Sequence, residues 1–143
     1  YCWYMNDTAY KDFYGALYNW YTINTGKLAP KGWHVATDAD WKTLANYLGG
    51  EHVAGGKLKE IGTTHWAYAN DFASNSCGFT ALPGGFRDDK GAFYSLKNFG
   101  GWWCGWKQGA SEVRYRYIYF DSGSLDRGDS RRGVGFSVRC IRN

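Results

Sequence analysis

The sequence predicts a single α+β domain made of short strands, one main helix and long loops, and three observations support that expectation. A chain of 143 residues, here residues 1–143 as one unit, is large enough to bury about two thirds of its unfolded surface. Twenty Gly against two Pro, with 20% aromatic residues, point to a loop-rich fold whose core rests on Trp, Tyr and Phe. Aromatic residues are what disordered chains lack. Only one segment, residues 37–48, has a sustained helical period, whereas short alternating runs recur elsewhere.

Taken in order, Tyr14 to Tyr21 is the first strong apolar block, and Leu17 to Ile23 reads as a strand or a short helix, which so few residues cannot decide. Gly32-Trp-His-Val-Ala36 is a short strand. Thr37 opens the helix: its hydroxyl can accept from the backbone three residues on, Asp40 can reach back, and Asp38 and Asp40 both favour the positive helix end. Trp41, Leu44, Ala45 and Leu48 form its apolar stripe, and Gly49-Gly50 stops it. One further helical turn is expected within residues 55–61, then a loop from Gly62 to Ser76. Cys77 to Arg87 reads as strand, turn, strand, Asp88 to Gly91 as a hairpin turn, and Trp102 and Trp103 as core. Val113 to Phe120 is a strand, and Gly135 to Ile141 is a last one, with Phe136, Val138 and Cys140 sharing a face.

Composition removes several function classes. No apolar run approaches the roughly 20 residues that a membrane helix needs, which argues against direct membrane insertion. The net charge is +4, and all of the excess lies after residue 100, where seven of eight basic residues are Arg. Asp121, Asp126 and Asp129 interrupt that basic run and would repel phosphate, so no nucleic-acid partner is expected. His34, His52 and His65 stand far apart without Cys or carboxylate at ligand spacing, and the glycine pairs lack a following Lys-Ser or Lys-Thr. Neither a metal nor another cofactor is expected. Asp38 and Asp40 read as helix-start residues before catalytic ones, and no nucleophile with a flanking base is evident, so the expectation is not an enzyme. Cys2, Cys77, Cys104 and Cys140 contain no CxxC, allow three fully paired arrangements and favour an extracellular setting. The chain starts at Tyr1 without an initiator Met, which reads as a cut or processed N-terminus.

The segment from Trp102 to Asn143 mixes two vocabularies. Arg116, Ile118, Phe120, Gly123, Leu125, Arg127 and Arg131 suit a backbone support, and Arg116, Ile118, Phe120, Leu125 and Phe136 are expected to be buried or structurally paired. Tyr115, Tyr117, Tyr119, Asp121, Ser122, Ser124, Asp126, Gly128, Asp129, Ser130 and Arg132 suit a recognition surface, because Tyr, Ser, Gly, Asp and Arg supply rigid aromatic area, adaptable hydrogen bonds and charge. Together with Trp106 they are the candidate ligand-binding residues, expected on one exposed face.

The blocks Tyr14-Gly-Ala-Leu-Tyr-Asn-Trp-Tyr, Pro30-Lys-Gly-Trp-His-Val, Thr37-Asp-Ala-Asp-Trp, Gly55-Gly-Lys-Leu-Lys-Glu, Gly78-Phe-Thr-Ala-Leu-Pro-Gly-Gly-Phe-Arg and Gly135-Phe-Ser-Val-Arg-Cys-Ile-Arg resemble the Fibrobacter major paralogous domain, in order and over nearly the whole chain. That family is similar to C-type lectin-like domains, which implies a twisted antiparallel sheet with a small helical part. The resemblance also implies a surface or secreted module, and in some members a C-terminal region diversified by a retroelement that mutates adenines. From an AAC codon such mutation yields Tyr, Asp, Ser, Gly and Arg but never Lys, Glu, Gln, Met or Trp, and all eleven surface-type residues from Tyr115 to Arg132 belong to the permitted set. Against the family pattern, position 29 is Ala where Cys is frequent, and Cys77 and Cys104 stand where Ser is usual. The joint departure implies a Cys77–Cys104 disulfide, and neighbouring first and last strands would allow Cys2 to meet Cys140.

The function expected is ligand binding or receptor recognition of the adhesin or phage tail-fibre type, extracellular, on a cell surface or virion tail. Its partner would be a cell-surface protein or a glycan of a host or neighbouring cell, and oligomerisation would come through a larger parent fibre. The runner-up is an oxidoreductase similar to the formylglycine-generating enzymes, suggested by Thr37-Asp-Ala-Asp-Trp, which would need a close, reactive cysteine pair. A structural surface or pilus module is the third reading.

Overall fold

The computed structural model describes residues 1–105 and 113–143. Two short 3-10 turns precede helix α1 (Lys11–Tyr14). Strand β1 (Tyr18–Asn19) then runs directly into helix α2 (Trp20–Asn24), so the ambiguous segment is strand and helix in succession. Asn19 is the hinge between them: its side chain accepts from the Thr22 N–H at 3.1 Å and starts the helix. Strand β2 (Trp33–Val35) leads to helix α3 (Asp38–Tyr47), which forms where the periodicity placed it, with the Thr37/Asp40 capping box complete. Helix α4 (Glu51–Leu58) begins earlier than the single turn expected from residue 55. It starts after Gly50, whose φ of 109° suits glycine.

The remaining elements are strands: β3 (Phe86–Arg87), β4 (Phe93–Tyr94), β5 (Phe99–Trp103), β6 (Arg114–Tyr119), β7 (Asp126–Asp129), β8 (Gly135–Phe136) and β9 (Cys140–Arg142). The expected final strand is therefore two short ones. Between them, Ser137 exchanges backbone bonds of 3.0 Å with Gly101 and Trp103, which fastens this segment to β5. The strands form an antiparallel sheet in the order β1, β8, β3, β4, a pair β2, β9, and a sheet in the order β5, β6, β7. The Asp88 carboxylate accepts from the Lys90 and Ala92 amides and shapes the β3–β4 hairpin turn. This α+β arrangement of several antiparallel sheets and few short helices is compatible with the C-type lectin-like fold.

Two hydrophobic clusters flank the β5–β6–β7 sheet. One packs Trp41 and Ala45 of α3 and the following Leu48 with Ala54 and Leu58 of α4 against Trp66, Trp102, Ile118 and Leu125. The other gathers Trp20, Phe99, Trp103, Val134 and Phe136. Consecutive tryptophans thus serve opposite sides of one strand, as strand alternation requires, and the Trp103 Nε1 donates to the Tyr18 carbonyl at 2.6 Å.

Candidate functional site

Strand β6 decides the geometry. Its register sets Tyr119 opposite Phe99, Tyr117 opposite Gly101 and Asp126, and Tyr115 opposite Trp103 and Gly128, so these residues share one face. Arg116 and Ile118 point to the other, toward α3 and α4, and are fully buried. Gly101 and Gly128 make the tyrosine face possible. A Cβ at Gly101 would stand 2.4 Å from the Phe99 ring, and one at Gly128 would stand 2.7 Å from the Tyr115 ring.

The rings form a continuous series. Tyr115 stacks on Phe136 with centroids 4.4 Å apart, Tyr117 stacks on Phe99 at 5.6 Å, and Tyr119 meets Phe99 edge-on at 5.3 Å. Phe99 also contacts Phe86, which stacks with Tyr94 of β4. Tyr115 and Tyr117 are half-buried, whereas Tyr119 and Tyr94 keep 43% and 45% of their surface exposed. Partial burial, reinforced by Asp126, raises the Tyr117 phenol above its ordinary value, and burial with the neighbouring tyrosines does the same to Tyr115. Both therefore present neutral hydroxyls at neutral pH.

The reverse face is a charged clamp. Arg116 donates through Nε to Asp38 at 2.9 Å and through Nη1 to Glu51 at 2.6 Å, with Nη2 2.7 Å from Asp38. Asp38 lies in the first turn of α3 and Glu51 in the first turn of α4, so one guanidinium holds both helix starts to β6. That guanidinium bond holds the Glu51 carboxyl below its usual range. Beside it, the buried Lys59 ammonium donates to the carbonyls of Asp71, Tyr119 and Phe120 at 2.6, 3.3 and 2.9 Å. Burial lowers its pKa to about 8.

The expected single recognition face is divided by this geometry. Tyr115, Tyr117, Tyr119, Asp126 and Gly128 do share it. Asp121 is exposed in the turn after β6, but Ser122 and Ser124 belong to a loop packed on α4, where the Ser124 amide donates to Ser122 Oγ at 3.1 Å and the Ser124 carbonyl lies against Gly55. Asp129 falls opposite Arg114 on the reverse face, and the two are paired at 3.4 Å. The Ser130 amide donates to the Val113 carbonyl, and the Arg132 guanidinium stacks on Trp20 at 4.7 Å. Trp106 lies outside the described residues. On the supporting side, Leu125 and Phe136 are buried and Phe120 is partly buried against the first cluster. Arg127 and Arg131 are exposed but approach Asp38 and Asp89 at 3.8 and 3.0 Å.

Cys77 and Cys104 are not bonded to each other. Cys104 is buried in the first cluster, where burial pushes its thiol up to about 12, while Cys77 is exposed beside the Lys57 carbonyl. Cys2 and Cys140 are also free thiols: Cys2 bridges to Leu17 and Cys140 pairs with Val35, and the first and last strands are not paired, since β1 joins β8 and β9 joins β2. Sequence reasoning overlooked Tyr94, Phe86 and Phe99, whose rings extend the tyrosine face, and missed Asp38, Glu51 and Lys59 as its supports. Asp38 and Glu51 have no local signal beyond the helix start. Lys59, in the charged run Lys57-Leu-Lys-Glu60, reads locally as a surface residue and offers none either.

No curated protein and no solved structure matches the chain. The model of the Fibrobacter succinogenes major domain family matches residues 1–142, and the chain, whose blocks from Tyr14 to Arg142 build the sheets and clusters just described, belongs to that family.

Proposed function

We propose that this domain is a recognition module whose binding surface is the tyrosine face of the β5–β6–β7 sheet. The observation behind this reading is the row of rings from Tyr94 to Tyr119, exposed at its outer members and seated on a buried aromatic layer. Rings held in this way have little freedom left to lose on binding, and Tyr combines apolar area with a hydrogen-bonding hydroxyl. Tyr115, Tyr117 and Tyr119 act as anchors, and Asp126 orients the partner. The setting is extracellular, on a cell surface or virion tail, as an adhesin or receptor-binding part of a larger fibre. No cofactor takes part.

The permitted-codon composition of residues 115–132 supports diversification of this face. The encoding DNA tests it directly: a nearby near-copy of the codons for residues 104–135, differing at adenines, is the expected finding, and its absence leaves a binding domain of fixed sequence. For binding itself, a pull-down from host or neighbouring-cell surface extracts is expected to capture a protein or glycan that the Tyr119→Ser variant no longer captures. Tyr119 suits this test because its side chain is the most exposed of the three on β6, so its loss disturbs packing least. Equal capture by the variant overturns the assignment of the surface.

A further inference from the structure

The register of the sheet also sorts its charges. On a chain of net charge +4, the cations of β6 and β7, Arg114, Arg116 and Arg127, all stand on the reverse face, close to Asp38, Glu51 and Asp129. Among the described residues of the three strands, the tyrosine face has a single formal charge, the carboxylate of half-buried Asp126. Asp126 has no ion-pair partner among the described residues, and its field contributes to the raised Tyr117 phenol. The exposed Asp121 follows the Tyr119 end of the row. Aromatic faces are negative at their centres, so three tyrosines with the Asp126 carboxylate opposite Tyr117 form a surface that attracts cations despite the positive charge of the whole chain.

We infer, resting on the recognition reading above, that the tyrosine face takes Arg or Lys side chains from a basic segment of a protein partner. Charge complementarity singles out that occupant. A guanidinium can stack on Tyr117 or Tyr119 and pair with the Asp126 carboxylate at the same time, whereas an anionic glycan meets repulsion there. A neutral glycan finds stacking area but leaves the carboxylate without a counter-charge.

Tyrosine ring NMR of the intact domain, titrated with tetra-arginine, tetra-glutamate and cellotetraose, tests this. Tetra-arginine is expected to shift the rings of Tyr117 and Tyr119, and its affinity is expected to fall about threefold or more with Asp126→Asn and with rising salt. Tyr119→Ser should weaken it further, with the unperturbed Trp signals showing that the variant is folded. If cellotetraose or tetra-glutamate shifts the same rings as strongly, or Asp126→Asn changes nothing, the cation inference fails while the face remains a binding surface. If tetra-arginine binds equally well to Tyr119→Ser without moving these rings, both readings fail. If no probe binds, the cation inference fails.

Discussion

Lys59 is the residue whose chemistry is most sharply set by its surroundings. Its ammonium is fully buried, has three carbonyl acceptors and lies 5.4 Å from the Trp66 ring centre. Its folded pKa of about 8 lies below the ordinary 10.5, so between those values the unfolded chain binds more protons than the folded one. Stability is therefore expected to rise as pH climbs from about 8, until the tyrosines oppose it. Tyr14, Tyr18, Tyr115 and Tyr117 have raised folded pKa values, so their contribution is lost above pH 10. Lys59→Met removes the alkaline rise and costs about 1 to 3 kcal/mol at neutral pH, because the orphaned carbonyls outweigh the relief of burying no charge. Urea melts at several pH values measure both effects. Arg116 poses the complementary case: Arg116→Met leaves the Asp38 and Glu51 carboxylates facing a buried methyl group, and a loss of about 2 to 4 kcal/mol is expected, read as a lower urea midpoint at unchanged slope.

Among the elements, α3 was fully legible because its start, stripe and stop are all local: Thr37 and Asp40 cap it, and Trp41 and Ala45 bury its face. Helix α4 was legible only in part. Its first turn contains Glu51, His52 and Val53, which are exposed, and its buried side includes Gly55 and Gly56, which give no apolar period to read. Those glycines answer to a neighbouring loop, since a Cβ at Gly55 would stand 2.2 Å from the Ser124 carbonyl oxygen. Gly55→Ala is expected to destabilise the domain by about 3 kcal/mol or more, visible in a thermal melt, although alanine favours helix. Glu51 adds an acid-side signature. Its folded pKa is depressed by Arg116, so its contribution is lost as pH falls below 4.5, and Glu51→Gln should flatten that decline in an acid titration of stability.

For the molecule as a whole, the alternation Tyr115, Tyr117, Tyr119 against Arg116, Ile118 predicted the two faces of β6, and the register confirms that partition. It did not predict that the loop from Asp121 to Leu125 would turn back onto α4, because that depends on contacts with Gly55 and Glu51, over 60 residues away in sequence. Strands β5 and β6 serve both hydrophobic clusters, so opening either cluster exposes them. Their amides, those of Gly100, Trp102 and Ile118 among them, are expected to exchange slowest, and those before Tyr14 fastest, in a hydrogen-exchange experiment. The Lys59 ammonium grips the end of β6 through the carbonyls of Tyr119 and Phe120, groups that every amino acid possesses. The anchor is therefore indifferent to what side chain position 119 displays, and the strand can exchange its outward lettering while its attachment to the scaffold stays the same.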